Sequence, residues 1–224
     1  MIISFLLFSA VFLLPILKEA TKKKLGDKER TQAPGNFVTL SKGLVHYRWL
    51  GADTGDLVVC VHGLTTPSFV FEGLARHYTN IGKRVLVYDQ YGRGYSDRPK
   101  AKQDKAFFVN QLEELLNKLE IKKQTFELVG YSMGGVIATS YSARNLDRVK
   151  RLILIAPAGT GHNLGISARV AKIPVLGWLL FSTFFELQHV RSTKKDKNIK
   201  SSVPNIVARQ LNELLYKGFG TVFN

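Results

Sequence analysis

Four short apolar runs punctuate the chain between residues 57 and 156. They begin at Leu57, Arg84, Thr125 and Arg151, and each is rich in Val, Leu and Ile without strict alternation of apolar and polar positions. Parallel strands that are covered on both faces have this composition. The pattern therefore predicts four buried strands.

The stretches between these runs carry the spacing of amphipathic helices. The clearest one places five apolar residues on a single stripe, with charged residues outside it: Phe108, Leu112, Leu115, Leu116 and Leu119. Strands that alternate with helices form a mainly parallel sheet with helices on both faces. We therefore predict an α/β fold.

Two further segments flank this alternating part. Residues 31–36 are polar with Pro and Gly and predict a linker, and the following residues predict two strands that form a hairpin around Lys42-Gly43. After residue 161, a very apolar aromatic stretch, a lysine-rich break and a last helical pattern predict a helical lid. The predicted organisation is an anchor at 1–17, a basic linker at 18–36, a core with the first six strands at 37–160, and a truncated lid at 161–224.

The first 17 residues contain no charged side chain. As a helix they would span about 25 Å at ~1.5 Å per residue, which is at the short end for a bilayer. Positive charge follows the run instead of preceding it, and Lys18 spoils the small-residue cleavage site near Ala20. We therefore expect a single-pass membrane anchor, with the following domain in the cytoplasm because the lysines flank that side. A cleaved signal, which would make the protein secreted or periplasmic, and a buried soluble helix are the alternatives.

The composition is consistent with a globular core and limits the classes of binding partner that we expect. The chain has 224 residues, of which 45% are hydrophobic and 22% charged, so it can bury a sizeable core. Its lone cysteine, Cys60, excludes a disulfide framework. The net charge is +15, and residues 133–224 hold thirteen Lys and Arg against four Asp and Glu. A basic surface suits nucleic acid or an anionic membrane, but no nucleic-acid motif accompanies it, so we expect no nucleic-acid partner.

The motif that carries chemistry is Gly130-Tyr131-Ser132-Met133-Gly134, which follows a strand-like run and opens a helix-like one. Serine in G-x-S-x-G sits on a sharp strand-to-helix turn, and the flanking glycines leave room for that turn. The helix N-terminus then favours negative charge that develops at the reacting centre. We predict that Ser132 is a nucleophile; the alternative is a glycine-rich turn with an incidental serine.

Two earlier loops complete the predicted site. A hydrolytic serine needs two donors for the oxyanion, and we predict that these are the backbone amides of Met133 and Leu64. His62 and Gly63 precede Leu64 in the same loop. We expect His62 to shape this loop through side-chain hydrogen bonds, with proton transfer as the alternative. After the next strand, Asp89 begins a turn whose backbone donors its side chain should accept.

In this order and spacing, the HGL, YDQYGRGYSD and GYSMGG motifs resemble those of the α/β-hydrolase superfamily, in particular its single-domain serine lipases and esterases. The resemblance covers residues 36–160 and, more weakly, the lid. It implies an α/β-hydrolase fold and a hydrolase that acts on a small-molecule or lipid ester without metal or cofactor. Serine at position 132 argues against relatives with an aspartate nucleophile, such as dehalogenases and most epoxide hydrolases. Serine aminopeptidases and acyltransferases of the superfamily are alternatives.

The resemblance also implies an acid and then a histidine after the nucleophile, and neither is recognisable. His162 lies at the start of the lid and His189 within it. Four carboxylates follow Ser132, none of them after a strand-like run: Asp147, Glu186, Asp196 and Glu213. Three interpretations stay open: a fragment or truncated gene product, a divergent enzyme that uses a lid histidine, or a non-catalytic binding or tethering protein on the hydrolase scaffold. In the first case the strand at 151–156 would be a bare edge, and we expect the chain alone to be marginal or aggregation-prone.

The predicted lid bears on the substrate. It is apolar and aromatic over six residues: Trp178, Leu179, Leu180, Phe181, Phe184 and Phe185. Together with the predicted anchor, these residues suggest acyl-chain substrates, although they could equally form the core of the lid. We expect a membrane-anchored serine hydrolase lineage, and a chain without a recognisable acid and base could itself be inactive.

Overall fold

The computed structural model describes residue 13 and residues 16–121, 124–159 and 185–219. These residues contain one six-stranded sheet in the order β1-β2-β4-β3-β5-β6. Its strands are β1 (Asn36–Leu40), β2 (Gly43–Leu50), β3 (Leu57–Val61), β4 (Arg84–Tyr88), β5 (Phe126–Tyr131) and β6 (Val149–Ile155). The predicted hairpin is confirmed, because β1 and β2 are antiparallel and Leu40 pairs with Gly43 across the turn. β2 and β4 are also antiparallel, whereas β3 to β6, the four apolar runs, pair in parallel.

Helices of eight or more residues follow or separate these strands in the described ranges. They are α1 (Glu72–Asn80), α2 (Lys105–Lys118), α3 (Met133–Ser142), α4 (Glu186–Lys195) and α5 (Ile206–Glu213). Single helical turns cover Asp27–Arg30, Ser68–Phe71 and Asp196–Asn198, and residues 16–21 are helical as well. The start of α2 is fixed by Asp104, whose carboxylate accepts the Phe107 amide proton at 3.0 Å and so satisfies one free donor of the first turn.

The sheet is covered on both faces, which explains why its strands do not alternate. Every residue of β3 is buried, because β3 lies between β4 and β5. On one face, Leu112 of α2 and Ile137 of α3 belong to the same core cluster as Val59. On the other face, Ala75 of α1 packs in a second cluster with Val58. The apolar stripe predicted for α2 is confirmed by this packing.

β6 forms one edge of the sheet in the described part of the chain, where it pairs with β5. Leu154 and Ile155 are 41% and 38% exposed there, which is unusual for a strand of this composition. Beyond residue 159, residues 160–184 lie outside the described residues.

Residues 185–219 fold back onto the core. Arg209 of α5 donates two hydrogen bonds to the Glu72 carboxylate, at 2.7 and 2.9 Å, and Arg48 of β2 donates to the same carboxylate at 3.0 Å. Gln210 donates to the Thr66 hydroxyl at 2.7 Å. These contacts tie α5 to α1 and to the loop after β3. The sequence predicted a helical lid over this part of the chain; the structure shows the helices α4 and α5 here, and their role as a lid stays a prediction.

The predicted anchor, residues 1–17, lies outside the described residues apart from three exposed side chains, Leu13, Ile16 and Leu17. Over the ranges that the structure does describe, each helix is too short or too polar to cross a membrane.

Candidate active site

Ser132 occupies the turn between β5 and α3. Its backbone has φ 52° and ψ −119°, a conformation that residues other than glycine rarely adopt. Its amide donates to the Ile155 carbonyl at 3.0 Å, and its carbonyl accepts from the amides of Gly135 and Ala158 at 2.9 and 3.0 Å. Gly130 packs so closely under α3 that a Cβ there would lie 2.6 Å from a helix carbonyl oxygen. Such a turn costs on the order of 1–3 kcal/mol and persists because its neighbours over-determine it.

Two more glycines let the loop after β3 approach this turn. A Cβ at Gly63 would lie 3.1 Å from the Cβ of Ser132. A Cβ at Gly134 would collide with the carbonyl oxygens of Val61 and His62. Because neither glycine carries a side chain, the loop and the first turn of α3 stand in direct backbone contact.

This contact brings two unused backbone donors near the serine. The amides of Leu64 and Met133 donate to no atom of the described residues. The Ser132 side chain is half-buried, and its hydroxyl likewise has no hydrogen-bond partner among them. Free amides at a helix N-terminus and in a neighbouring loop suit an oxygen that acquires negative charge.

His62 is fully buried and uses both ring nitrogens to hold the loop after β3. Nε2 accepts the Gln90 amide proton at 2.8 Å, so Nδ1 carries the ring proton and donates it to the Gly63 carbonyl at 2.7 Å. Burial lowers the pKa of His62 to about 4, so the ring is neutral at pH 7. A ring bonded in this way has no free nitrogen to accept a proton from Ser132.

Asp89 stands directly after β4 and is buried. Its carboxylate accepts the amide protons of Ser68 and Tyr95 at 2.9 and 3.0 Å, and it accepts a third hydrogen bond from His46 Nδ1 at 2.8 Å. The other ring nitrogen of His46 donates to the Pro34 carbonyl at 2.6 Å. Because both nitrogens of His46 face acceptors, the ring is an imidazolium, and the two side chains form a buried ion pair.

The environment of this pair shifts the pKa of both side chains. Burial by itself lowers the pKa of His46, but the hydrogen bond and charge of Asp89 outweigh it and leave the pKa raised. Burial by itself raises the pKa of Asp89, but the hydrogen bonds from His46 and Ser68 and the nearby positive charge hold it well below its usual range. Sequence reasoning missed His46, because only the register of β2 against β4 brings it beside Asp89.

Arg93 and Glu213 support the turn that follows Asp89. Arg93 is buried, and its Nε donates to the Leu64 carbonyl. Burial, together with the neighbouring Arg98, lowers the pKa of Arg93 to about 9. Glu213, at the end of α5, accepts the Gly94 amide proton at 2.9 Å, and its burial raises its pKa. The C-terminal helix therefore braces the turn that fixes Leu64, a contact that the sequence did not reveal.

The described residues do not assemble a histidine–acid pair at Ser132. His162 lies outside them. His189, on α4, stacks on Phe185 with ring centroids 5.8 Å apart, and its Nε2 is buried without a hydrogen-bond partner among the described residues. Burial and the nearby Arg93 lower the pKa of His189 and favour the neutral ring. Within the same ranges, none of the four carboxylates that follow Ser132 hydrogen-bonds to a histidine.

A cavity of about 480 Å³ lies between the Asp89 turn and α5. Its lining includes His46, Asp89, Arg209 and Glu213. Ser132 does not line it, so this cavity is separate from the serine turn.

The sequence matches a protein family and several known proteins. Residues 56–181 match the family described as the alpha/beta hydrolase fold. The chain is 31% identical over 128 residues to an uncharacterised protein of Mycobacterium tuberculosis, over 55% of this chain and 36% of that one. It is 26% identical to the cis-3-alkyl-4-alkyloxetan-2-one decarboxylase of Shewanella oneidensis, over 84% of this chain and 57% of the relative. The matched part of the chain thus covers between about one third and little more than half of the length of these curated relatives.

Among solved structures, the enol-lactonase from Burkholderia xenovorans superposes with a TM-score of 0.67 at 18% identity, over 84% of this chain and 70% of the lactonase. At this identity the superposition shows a common fold.

Proposed function

Because the chain belongs to the alpha/beta hydrolase fold family, we propose that it is a serine hydrolase that cleaves a carboxylic ester through Ser132. The observation that carries this proposal is the backbone of Ser132, held at φ 52° and ψ −119° at the start of α3. Enzymes with a G-x-S-x-G turn use this strained geometry to present the hydroxyl to substrate. A serine in a merely structural turn gains nothing from the strain.

In the proposed reaction, Ser132 Oγ attacks the ester carbonyl carbon while a base takes the hydroxyl proton. The carbonyl oxygen becomes an oxyanion, to which the Leu64 and Met133 amides donate. Each such donor is worth roughly 3–4 kcal/mol of transition-state stabilisation. The alcohol leaves with the proton from the base, and water then hydrolyses the acyl-serine by the same route and restores the hydroxyl.

Two histidines of this chain follow Ser132 and are candidates for the base, His162 and His189. Of these two, the structure describes His189, whose Nε2 is buried without a hydrogen-bond partner among the described residues and whose lowered pKa keeps the ring neutral. His189→Gln should then lower kcat by at least about a hundredfold. An unchanged kcat would assign the base to another residue.

We further propose that the substrate is a lipophilic ester and that residues 1–17 anchor the enzyme in a membrane, with the catalytic domain in the cytoplasm. The uncharged N-terminal run, the lysines that follow it and the apolar stretch of the predicted lid support this part of the proposal. Serine aminopeptidases and acyltransferases use the same nucleophile. Measuring activity on a panel of ester, peptide and acyl-acceptor substrates would distinguish them from an ester hydrolase.

A non-catalytic binding role on the same scaffold is the second candidate. It is favoured by the absence, among the described residues, of a histidine–carboxylate pair that faces Ser132.

Ester hydrolysis by the purified full chain separates the two candidates. We expect p-nitrophenyl esters to be cleaved, and Ser132→Ala to lower kcat/KM by at least about a thousandfold. Ser140→Ala is the matched control, because Ser140 is also half-buried and lies on α3 two turns later. Hydrolysis that survives in Ser132→Ala would reject Ser132 as the nucleophile, and absence of hydrolysis in every form would favour the binding role.

A further inference from the structure

A groove of about 510 Å³ opens where the segment after the predicted anchor meets α4 and the end of α5. We call it the basic groove and define it by its lining: Lys18, Thr21, Lys22, Lys23, Glu186, Val190, Lys194, Leu211, Leu214 and Leu215. Three parts of the chain that are distant in sequence contribute to it, and the proposed reaction uses none of these residues.

Hydrogen bonds and ion pairs hold these parts together. The Lys23 amide donates to the Leu215 carbonyl at 2.9 Å, and the Lys23 carbonyl accepts the Lys217 amide proton at 2.8 Å. Glu186 of α4 forms ion pairs with Lys18 at 3.0 Å and with Lys22 at 3.5 Å. The first lysines of the chain are thus fixed against the C-terminal helices and do not form a loose tail.

The groove combines an apolar floor with a cationic rim. Val190, Leu211, Leu214 and Leu215 form the floor, and Leu215 remains 49% exposed. The rim has four lysines against one carboxylate, Glu186, a formal excess of three positive charges.

The lysines of the rim are not equivalent. The Lys22 side chain is only 10% exposed and pairs with both Glu19 and Glu186. Lys23 and Lys194 are exposed and form no ion pair within the described residues. Their charges are therefore available to an external anion, whereas that of Lys22 is used inside the protein.

We infer that the basic groove binds the anionic headgroup surface of a membrane. Ammonium groups attract lipid phosphates and carboxylates, while the exposed Leu215 beside the other apolar groups of the floor suits the glycerol and upper acyl region beneath them. A nucleic acid is a poorer occupant, because the lining contains no arginine for bidentate phosphate contacts and no aromatic ring for base stacking.

The position of the groove in the chain supports this occupant, and here the inference rests on the proposed membrane anchor. Lys18 follows the uncharged run of residues 1–17 directly. Residues 18–23 extend about 9 Å if helical, so an anchor would hold the rim within roughly one Debye length of the bilayer. Because His189 shares α4 with Lys194, the same contact would hold the proposed base close to a lipid substrate.

Vesicle co-sedimentation of the full chain tests the inference. Binding is measured to phosphatidylcholine vesicles and to vesicles with about 30% phosphatidylserine, at about 0.1 M and about 1 M salt. The test variant changes the two exposed rim lysines that form no ion pair within the described residues: Lys23→Gln and Lys194→Gln. The control makes the same charge change at two exposed lysines outside the groove: Lys105→Gln and Lys118→Gln.

We expect phosphatidylserine to tighten binding of the wild-type chain at low salt only. Each lysine at an anionic surface is worth about fivefold in affinity, so the test variant should lose roughly 25-fold of the phosphatidylserine effect while the control keeps most of it. Equal loss in both variants would mean a general charge effect and would overturn the groove. Equal binding of the wild type to both vesicle types would reject headgroup binding by the basic groove but would remain consistent with the proposed anchor. Binding to neither vesicle type would reject both the groove inference and the anchor.

Discussion

Asp89→Asn probes the ion pair that fastens β2 to the turn after β4. The substitution keeps the size of the side chain but removes its charge. The carboxylate accepts three hydrogen bonds, from His46, Ser68 and Tyr95, and it is 2% exposed. The neighbouring His46 then loses the charge that keeps its ring protonated, and one of its two hydrogen bonds must weaken or break.

The structure sets the size of the effect. Removing one partner of a buried, hydrogen-bonded ion pair costs about 3–5 kcal/mol, and a single hydrogen bond to a charged group is worth about 1.5–3 kcal/mol. Some hydrogen bonds survive with the amide oxygen, so we expect a loss of about 3–4 kcal/mol. Domains of this size are stable by only ~5–15 kcal/mol, so the loss is a large fraction of the total.

The loss should depend on pH in a defined way. The folded pKa of Asp89 is lowered, so its contribution is complete above the ordinary Asp pKa of about 4 and disappears as the pH falls through the folded value. The folded pKa of His46 is raised, so its contribution is complete below about 6.5 and disappears as the pH rises through the folded value. The difference between wild type and Asp89→Asn should therefore be largest between pH ~4 and ~6.5.

Urea unfolding of the full chain, followed by tryptophan fluorescence, measures this difference. Trp49 lies on β2, the strand that the pair holds. Asp53→Asn is the control, because the Asp53 side chain is 93% exposed and its contact with Arg84 is 3.7 Å. A loss below about 1 kcal/mol, or a loss that does not shrink as the pH moves outside this range, would refute the buried ion pair.

Three further predictions follow from other contacts in the structure. Gly134→Ala places a methyl group against two carbonyl oxygens and should cost about 1–3 kcal/mol in thermal melts; an unchanged Tm would mean that α3 moves away freely. Because the pKa of His62 falls to about 4 on folding, the unfolded chain binds more protons between pH ~6.5 and 4. Stability should decline as the pH falls through that range, and His62→Asn should flatten the decline; an equal slope in the variant would contradict this. Glu72→Gln should speed hydrogen exchange in α5 roughly fivefold, whereas unaltered exchange would show that the Arg209 contact does not dock the helix.

The strands, the hairpin and α2 were predictable because their signals are local. An uninterrupted Val, Leu and Ile run needs burial on both faces, and the apolar stripe of α2 needs one covered face, wherever the rest of the chain lies. The serine turn is local in the same sense. Gly130 and Gly134 are required within two residues of Ser132, so the motif carries its own geometry.

The residues that support the turn were not predictable, because their partners are remote. Arg209 reaches Glu72 across 137 positions, and Glu213 reaches Gly94 across 119. From the sequence, both residues belong to a helical pattern in the predicted lid, which gives no sign of these partners. His46 shows the same difficulty, since its pairing with Asp89 depends on the order of strands in the sheet, which no local pattern encodes.

The central claim is that Ser132 is an activated nucleophile, and covalent labelling by a fluorophosphonate tests it most directly. We predict that the full chain takes up one equivalent of the probe, that the label maps to the peptide with Ser132, and that Ser140→Ala labels normally while Ser132→Ala does not. A native chain that stays unlabelled, or a label that persists in Ser132→Ala, would contradict the account.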